Sequence, residues 1–161
     1  MKKVLCVLAG VGFLALLGME AAGPAGMSEE QKAAIEKAVL ATHDKIIEAA
    51  QARDADKMFG FILEDDKCAI VQDGRLMNRQ EALERTRQGF SGAQSIRYDF
   101  RKRYVIVLSP QNAVLVGAGT VTVVAASGES ITSEFANTTV FVLTEKDWKV
   151  ICGHHSIPNP T

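Results

Sequence analysis

The chain has 161 residues, 47% hydrophobic and 23% charged, with a formal net charge of −1. That composition suits one globular domain with its own core. It lacks the basic surface that phosphate binding needs, so no nucleic-acid partner is expected.

The first residues read as a separate segment. Lys2 and Lys3 precede an apolar run from Val4 to about Leu17, and small residues follow in Ala21-Ala22-Gly23-Pro24-Ala25. This is the layout of a secretory signal peptide, too short for a comfortable transmembrane helix. Residues 1–25 are read as the signal and 26–161 as one domain, giving an exported protein, periplasmic or secreted. If the segment stays uncleaved it becomes a membrane anchor. Cys68 and Cys152 remain in the mature chain, both in apolar runs. Their spacing leaves open whether they pair or stay as buried thiols.

Ser28 with Gln31 is a capping box, and Ile35, Val39, Ile46, Ile47 and Ala50 continue a helix to about Ala52. Asp54 caps a short second helix. Residues 68–72 read as a strand, Asp73-Gly74 as a hairpin turn and residues 75–77 as its return. Asn78 with Glu81 opens a third helix to about Phe90. Strands follow over residues 95–108, 113–126, 131–144 and 148–155. The first alternates, with Ile96, Tyr98, Phe100, Tyr104 and Ile106 expected on one face and Arg97, Asp99, Arg101 and Arg103 on the other. Gly117 and Gly119 predict a sharp bend or bulge in the second. Three helices ahead of long antiparallel strands make an α+β fold in which a curved sheet and its helices enclose a cavity.

This order resembles the NTF2-like superfamily, in particular its SnoaL-like or DUF4440-type members. Arg53-Asp54, Asp73-Gly74 and Trp148-Lys149-Val150 leading to His154 and Ser156 carry the resemblance, which spans about Ser28 to Pro158. It implies the NTF2-like cone, a strongly curved, mostly antiparallel sheet closed by three N-terminal helices, and a dimer. The superfamily includes isomerases, cyclases, dehydratases and non-catalytic pocket or assembly domains, so the fold does not choose the activity. The family's isomerases use a tyrosine near the first helix and two cavity acids. Here the only tyrosines are Tyr98 and Tyr104, both on the first long strand.

Histidine is the usual proton-transfer residue near neutral pH. His43 falls on the apolar stripe of the first helix. Adjacent strand residues point to opposite faces, so His154 and His155 part company. Trp148, Val150, Cys152, His154 and Ser156 form the more apolar set, which places His154 toward the cavity and His155 outside. The candidate pocket residues are His43, Phe61, Tyr98, Phe100, Asn137 and His154. His43 and His154 are each more simply accounted for as hydrogen-bonded core residues than as catalytic groups. No metal or cofactor is expected, because no compact ligand motif is present.

Two main functions follow. The first is an exported pocket protein that binds a small, largely apolar molecule. The second is an isomerase or lyase, ketosteroid isomerase-like or polyketide cyclase-like, using His43 or His154 as general acid or base. A homo-oligomeric assembly domain is the third reading. The strands over 113–126 and 131–144 carry apolar residues on both faces, which predicts a homodimer through the sheet's outer face.

Overall fold

The computed structural model describes residues 26–158. The expected signal segment lies outside the described residues.

Helix α1 (Glu29–Gln51) opens on the capping box: Gln31 N donates to Ser28 Oγ, and Ser28 N donates to Gln31 Oε1. It closes in a Schellman turn, with Arg53 N donating to Ala50 O and Asp54 N to Ala49 O. The left-handed residue is Arg53, φ 61°, where glycine is usual. That conformation costs about 1 kcal/mol and is offset by a 2.8 Å hydrogen bond from Arg53 Nη1 to Ala93 O. Asp54 then caps α2 (Ala55–Phe59) by accepting from Lys57 N. The Arg53-Asp54 pair therefore ends one helix and begins the next. Strands β1 (Ala69–Gln72) and β2 (Arg75–Met77) meet at Asp73-Gly74, both left-handed, as a type I′ turn requires. Asn78 and Glu81 cap α3 (Arg79–Ser91) reciprocally.

The long strands are β3 (Ala93–Ser109), β4 (Asn112–Ala125), β5 (Ser130–Leu143) and β6 (Trp148–Ser156). They complete a six-stranded sheet in the order β2-β1-β6-β5-β4-β3. β1 runs parallel to β6, and every other pair is antiparallel. α1 lies across the concave side against β3, β4 and β6. Under it sits the main core, built on Val39, Phe59, Leu115, Phe141, Trp148 and Val150. A second cluster of Ala93, Ile96, Val121 and Phe135 occupies the other end of the same face.

Two bulges correct the expected faces. In β3 the pairing passes from Phe100↔Gly119 to Lys102↔Ala118, so Arg101 is an extra residue. Alternation reverses there. Tyr98 and Phe100 point inward as expected. Beyond the bulge Arg103, opposite the buried Gly117, points inward too, while Tyr104 and Ile106 turn outward and are exposed. In β6 the pairing passes from Phe141↔Val150 to Val140↔Cys152, leaving Ile151 extra. His155, opposite Asn137, therefore faces the concave side, and His154 is exposed on the other. This is the reverse of the sequence expectation.

Cys68 and Cys152 are free thiols; Cys68 is buried and Cys152 half-buried.

Gly117 and Gly119 allow close approach. A Cβ on Gly119 would lie within 2.9 Å of Phe100 Cα and closer still to the Asp99 carbonyl oxygen. Backbone cannot yield as a flexible side chain can. Gly119→Ala is expected to destabilise the protein by about 3 kcal/mol or more. Gly89, inside α3 with open space around it, gives the opposite sign: Gly89→Ala stabilises by about 0.5–1 kcal/mol. Urea unfolding of the two variants checks both signs.

Candidate functional site

The concave face near the centre of β3, β5 and β6 is built from aromatic rings. Tyr98 and Phe100 come from β3, Phe135 from β5 and His155 from β6. Phe135 meets Phe100 edge-on at 5.0 Å and Tyr98 at 5.5 Å, and lies stacked on His155 at 5.3 Å. From α1, His43 closes the cluster by an edge contact to Phe100 at 5.1 Å. Edge-to-face and offset packing of this kind favours the ring quadrupoles. Gly117 leaves room for it: a Cβ there would come within 2.6 Å of Asn137 Oδ1 and 2.9 Å of Phe100 Cε1.

Arg103 reaches this end of the site because of the bulge at Arg101. Its Nη1 lies 3.2 Å from His43 Nδ1 and also contacts Asp44 Oδ1. A guanidinium only donates. Nδ1 of His43 is therefore the acceptor, and the neutral ring carries its hydrogen on Nε2. His43 is 3% exposed. Burial, and next the Arg103 charge, lower its pKa to about 4 against an upward pull from Asp44. Burial also lowers the pKa of His155, with Asp73 opposing and His154 adding to the shift. Burial raises the phenol of Tyr98. Near neutral pH the aromatic groups of the site are thus uncharged.

The expected pocket residues divide. His43, Tyr98, Phe100 and Asn137 meet on the concave face. His154 stands on the outer face, and Phe61 belongs with the main core near α2, its ring 5.9 Å from Lys149 Nζ. Sequence reading missed Phe135, His155 and Arg103. Three consecutive charged residues, Arg101-Lys102-Arg103, break the alternation of β3 and are the one signal of its bulge.

The chemistry available is limited. As a base, His43 is weakened by its low pKa and by the donor on Nδ1. The carboxylates Asp99 of β3 and Glu134 of β5 are exposed, and Glu134 is paired with Arg101 at 2.9 Å. Among the described residues no group of three or more His, Cys, Asp or Glu is placed to hold a metal. Two shallow surface grooves, of 370 and 510 Å³, lie along α1 and where α1 meets α2 and α3, away from the aromatic cluster.

The SnoaL-like domain family matches residues 39–160. The chain belongs to that family. No curated protein matches this SnoaL-like chain. Solved structures share its fold. A provisionally assigned dehydratase of the NTF2-like family from Streptomyces avermitilis superposes with a TM-score of 0.71 at 16% identity, covering 80% of this chain and 99% of its own. A provisionally assigned scytalone dehydratase from Novosphingobium aromaticivorans gives 0.73 at 8% identity, with coverage of 83% and 91%. A provisionally assigned calcium/calmodulin-dependent protein kinase II association domain from Xanthomonas campestris gives 0.65 at 17% identity, with coverage of 88% and 95%. At such identities the likeness is one of fold, and the neighbours' assignments range from dehydratase to association domain.

The buried histidine makes stability depend on pH. Unfolded, His43 binds a proton near 6.5; folded, it resists until about 4. The unfolded state holds more protons in that window, so stability falls as pH drops through it, by about 3 kcal/mol in total from this residue. Urea midpoints measured from pH 7 to pH 4.5 should fall less steeply for His43→Gln than for the unaltered protein. Parallel slopes would remove the assignment.

Proposed function

We propose that this chain is an exported protein that binds a small, uncharged, largely apolar molecule on the concave face of its sheet. The observation that carries the reading is the aromatic wall of Tyr98, Phe100 and Phe135, flanked by two neutral histidines. Apolar walls with a few placed polar groups are the common make-up of ligand sites. An acid–base enzyme is less well supported. Its two candidate histidines do not converge, because His154 is on the outer face, and the carboxylates Asp99 and Glu134 are exposed, with Asp44 beside His43 engaged by Arg103. Aromatic ¹³C spectra of the mature protein, titrated with a panel of monocyclic aromatics, test this. Shifts should appear at Tyr98, Phe100 and Phe135; a panel that moves none of them would end the proposal.

The outer face supports self-association. Tyr104, Ile106 and Leu108 of β3 are 53%, 51% and 44% exposed. Tyr104 and Ile106 stand beside Val116 and Val114, and Val114 beside Val140. A water-facing sheet normally alternates polar residues there, and a two-fold copy is the simplest cover for a contiguous apolar patch. Native mass spectrometry of protein expressed in bacteria reads this and export together. The expected species is a dimer of chains that each begin at Gly26. Monomers at micromolar concentration would remove the interface, and chains retaining Met1 would remove cleavage.

A further inference from the structure

Asn137 and His155 are direct neighbours across β5 and β6 and share the concave face. Such pairs hold their Cβ atoms about 5 Å apart. Each presents a buried polar atom with no protein hydrogen-bond partner among the described residues: Oδ1 of Asn137 and Nε2 of His155. A buried group left unpaired costs about 1–3 kcal/mol, and native proteins rarely keep one without cause. Here the two residues that carry such atoms are cross-strand neighbours on an otherwise apolar wall. His155 is stacked on Phe135, with the Tyr98 ring 6.4 Å away. The Asn137 amide nitrogen is held by Thr139 Oγ1 at 3.4 Å, which directs its oxygen away from that bond. Beneath that oxygen is the bare backbone of Gly117.

We propose that Asn137 and His155 together recognise one uncharged hydroxyl group on an otherwise apolar, ring-bearing ligand. The proposal rests on the reading that the concave face binds a small molecule. A hydroxyl is donor and acceptor at one atom. Its hydrogen goes to Asn137 Oδ1, and its oxygen accepts from the Nε2–H tautomer of His155. An ether or ketone oxygen accepts only, and leaves Asn137 Oδ1 unpaired. A carboxylate has no hydrogen to give and would bring a charge to neutral groups, since the nearby guanidinium of Arg103 is already engaged by Asp44 and His43. Burying an unpaired charge costs far more than the two hydrogen bonds return.

Four probes of one shape separate these cases: 4-ethylphenol, 4-ethylanisole, 4-ethylacetophenone and 4-ethylbenzoate, titrated calorimetrically into the mature protein at pH 7.5. The phenol is expected to bind at least about tenfold tighter than the anisole or the ketone, the worth of one or two satisfied hydrogen bonds. The benzoate should bind weakest. In Asn137→Leu the advantage of phenol over anisole should vanish while the anisole still binds. Where that variant does not fold, the ratio in the unaltered protein decides alone. Equal binding of phenol and anisole would overturn the hydroxyl assignment and leave the aromatic site standing. Tightest binding by the ketone would overturn it in favour of a carbonyl. Failure of all four to bind would overturn both the assignment and the binding reading beneath it.

Discussion

The close crossing of β3 over Gly119 is the constraint on which the rest depends. With no side chain at Gly119, the Asp99 carbonyl and Phe100 backbone press onto β4. One residue later the strand bulges at Arg101. A bulge bends its strand and strengthens the local twist. That curvature wraps the sheet around α1 and lets rings from β3 and β5 meet at 5 to 6 Å rather than stand in parallel rows. It also changes which side chains are inside. Without the extra residue Arg103 would point to solvent, and neither His43 nor Asp44 would find it.

The bulge in β6 does the same for histidine. An uninterrupted strand from Trp148 would carry His154 inward with Trp148 and Val150. The extra residue at Ile151 exchanges it for His155. The two bulges lie on different strands, yet both reversals act on the same patch of the concave face. Together they turn a wall that would have been simple core into one with a guanidinium at one margin and an imidazole at the other.

What was legible in the sequence divides along physical lines. Helix ends were readable, because Ser28 with Gln31, Asn78 with Glu81 and Asp54 use local hydrogen bonds between near neighbours. The Asp73-Gly74 turn was readable for the same reason, since left-handed backbone restricts the residues that fit. The family and its fold followed from the order of these elements. Gly117 and Gly119 pointed to a departure from flat sheet, but not to its consequence. The faces of Arg103, Tyr104, His154 and His155 were not legible. A bulge is one residue of slippage between two strands, decided by contacts with a partner strand rather than by any local preference. Phe135 went unnoticed as a site residue for a related reason: on an inward face a ring that lines a site and a ring that fills a core have the same pattern.

β3 is also an edge of the sheet. Seventeen residues long, it has one whole side of backbone N–H and C=O groups with no strand beside it among the described residues. Such an edge invites a second chain to add on in register, the first step of strand-by-strand aggregation. The same irregularities that curve the sheet stand against this. Register shifts fall between Ala93 and Ser95, Phe100 and Lys102, and Val107 and Ser109, dividing the edge into short, differently twisted pieces. The charged run Arg101-Lys102-Arg103 sits at the middle break, where an incoming copy would lay like charge beside like charge. The kink that shapes the interior thereby protects the border, and a change that straightened β3 would expose a long template for uncontrolled strand addition.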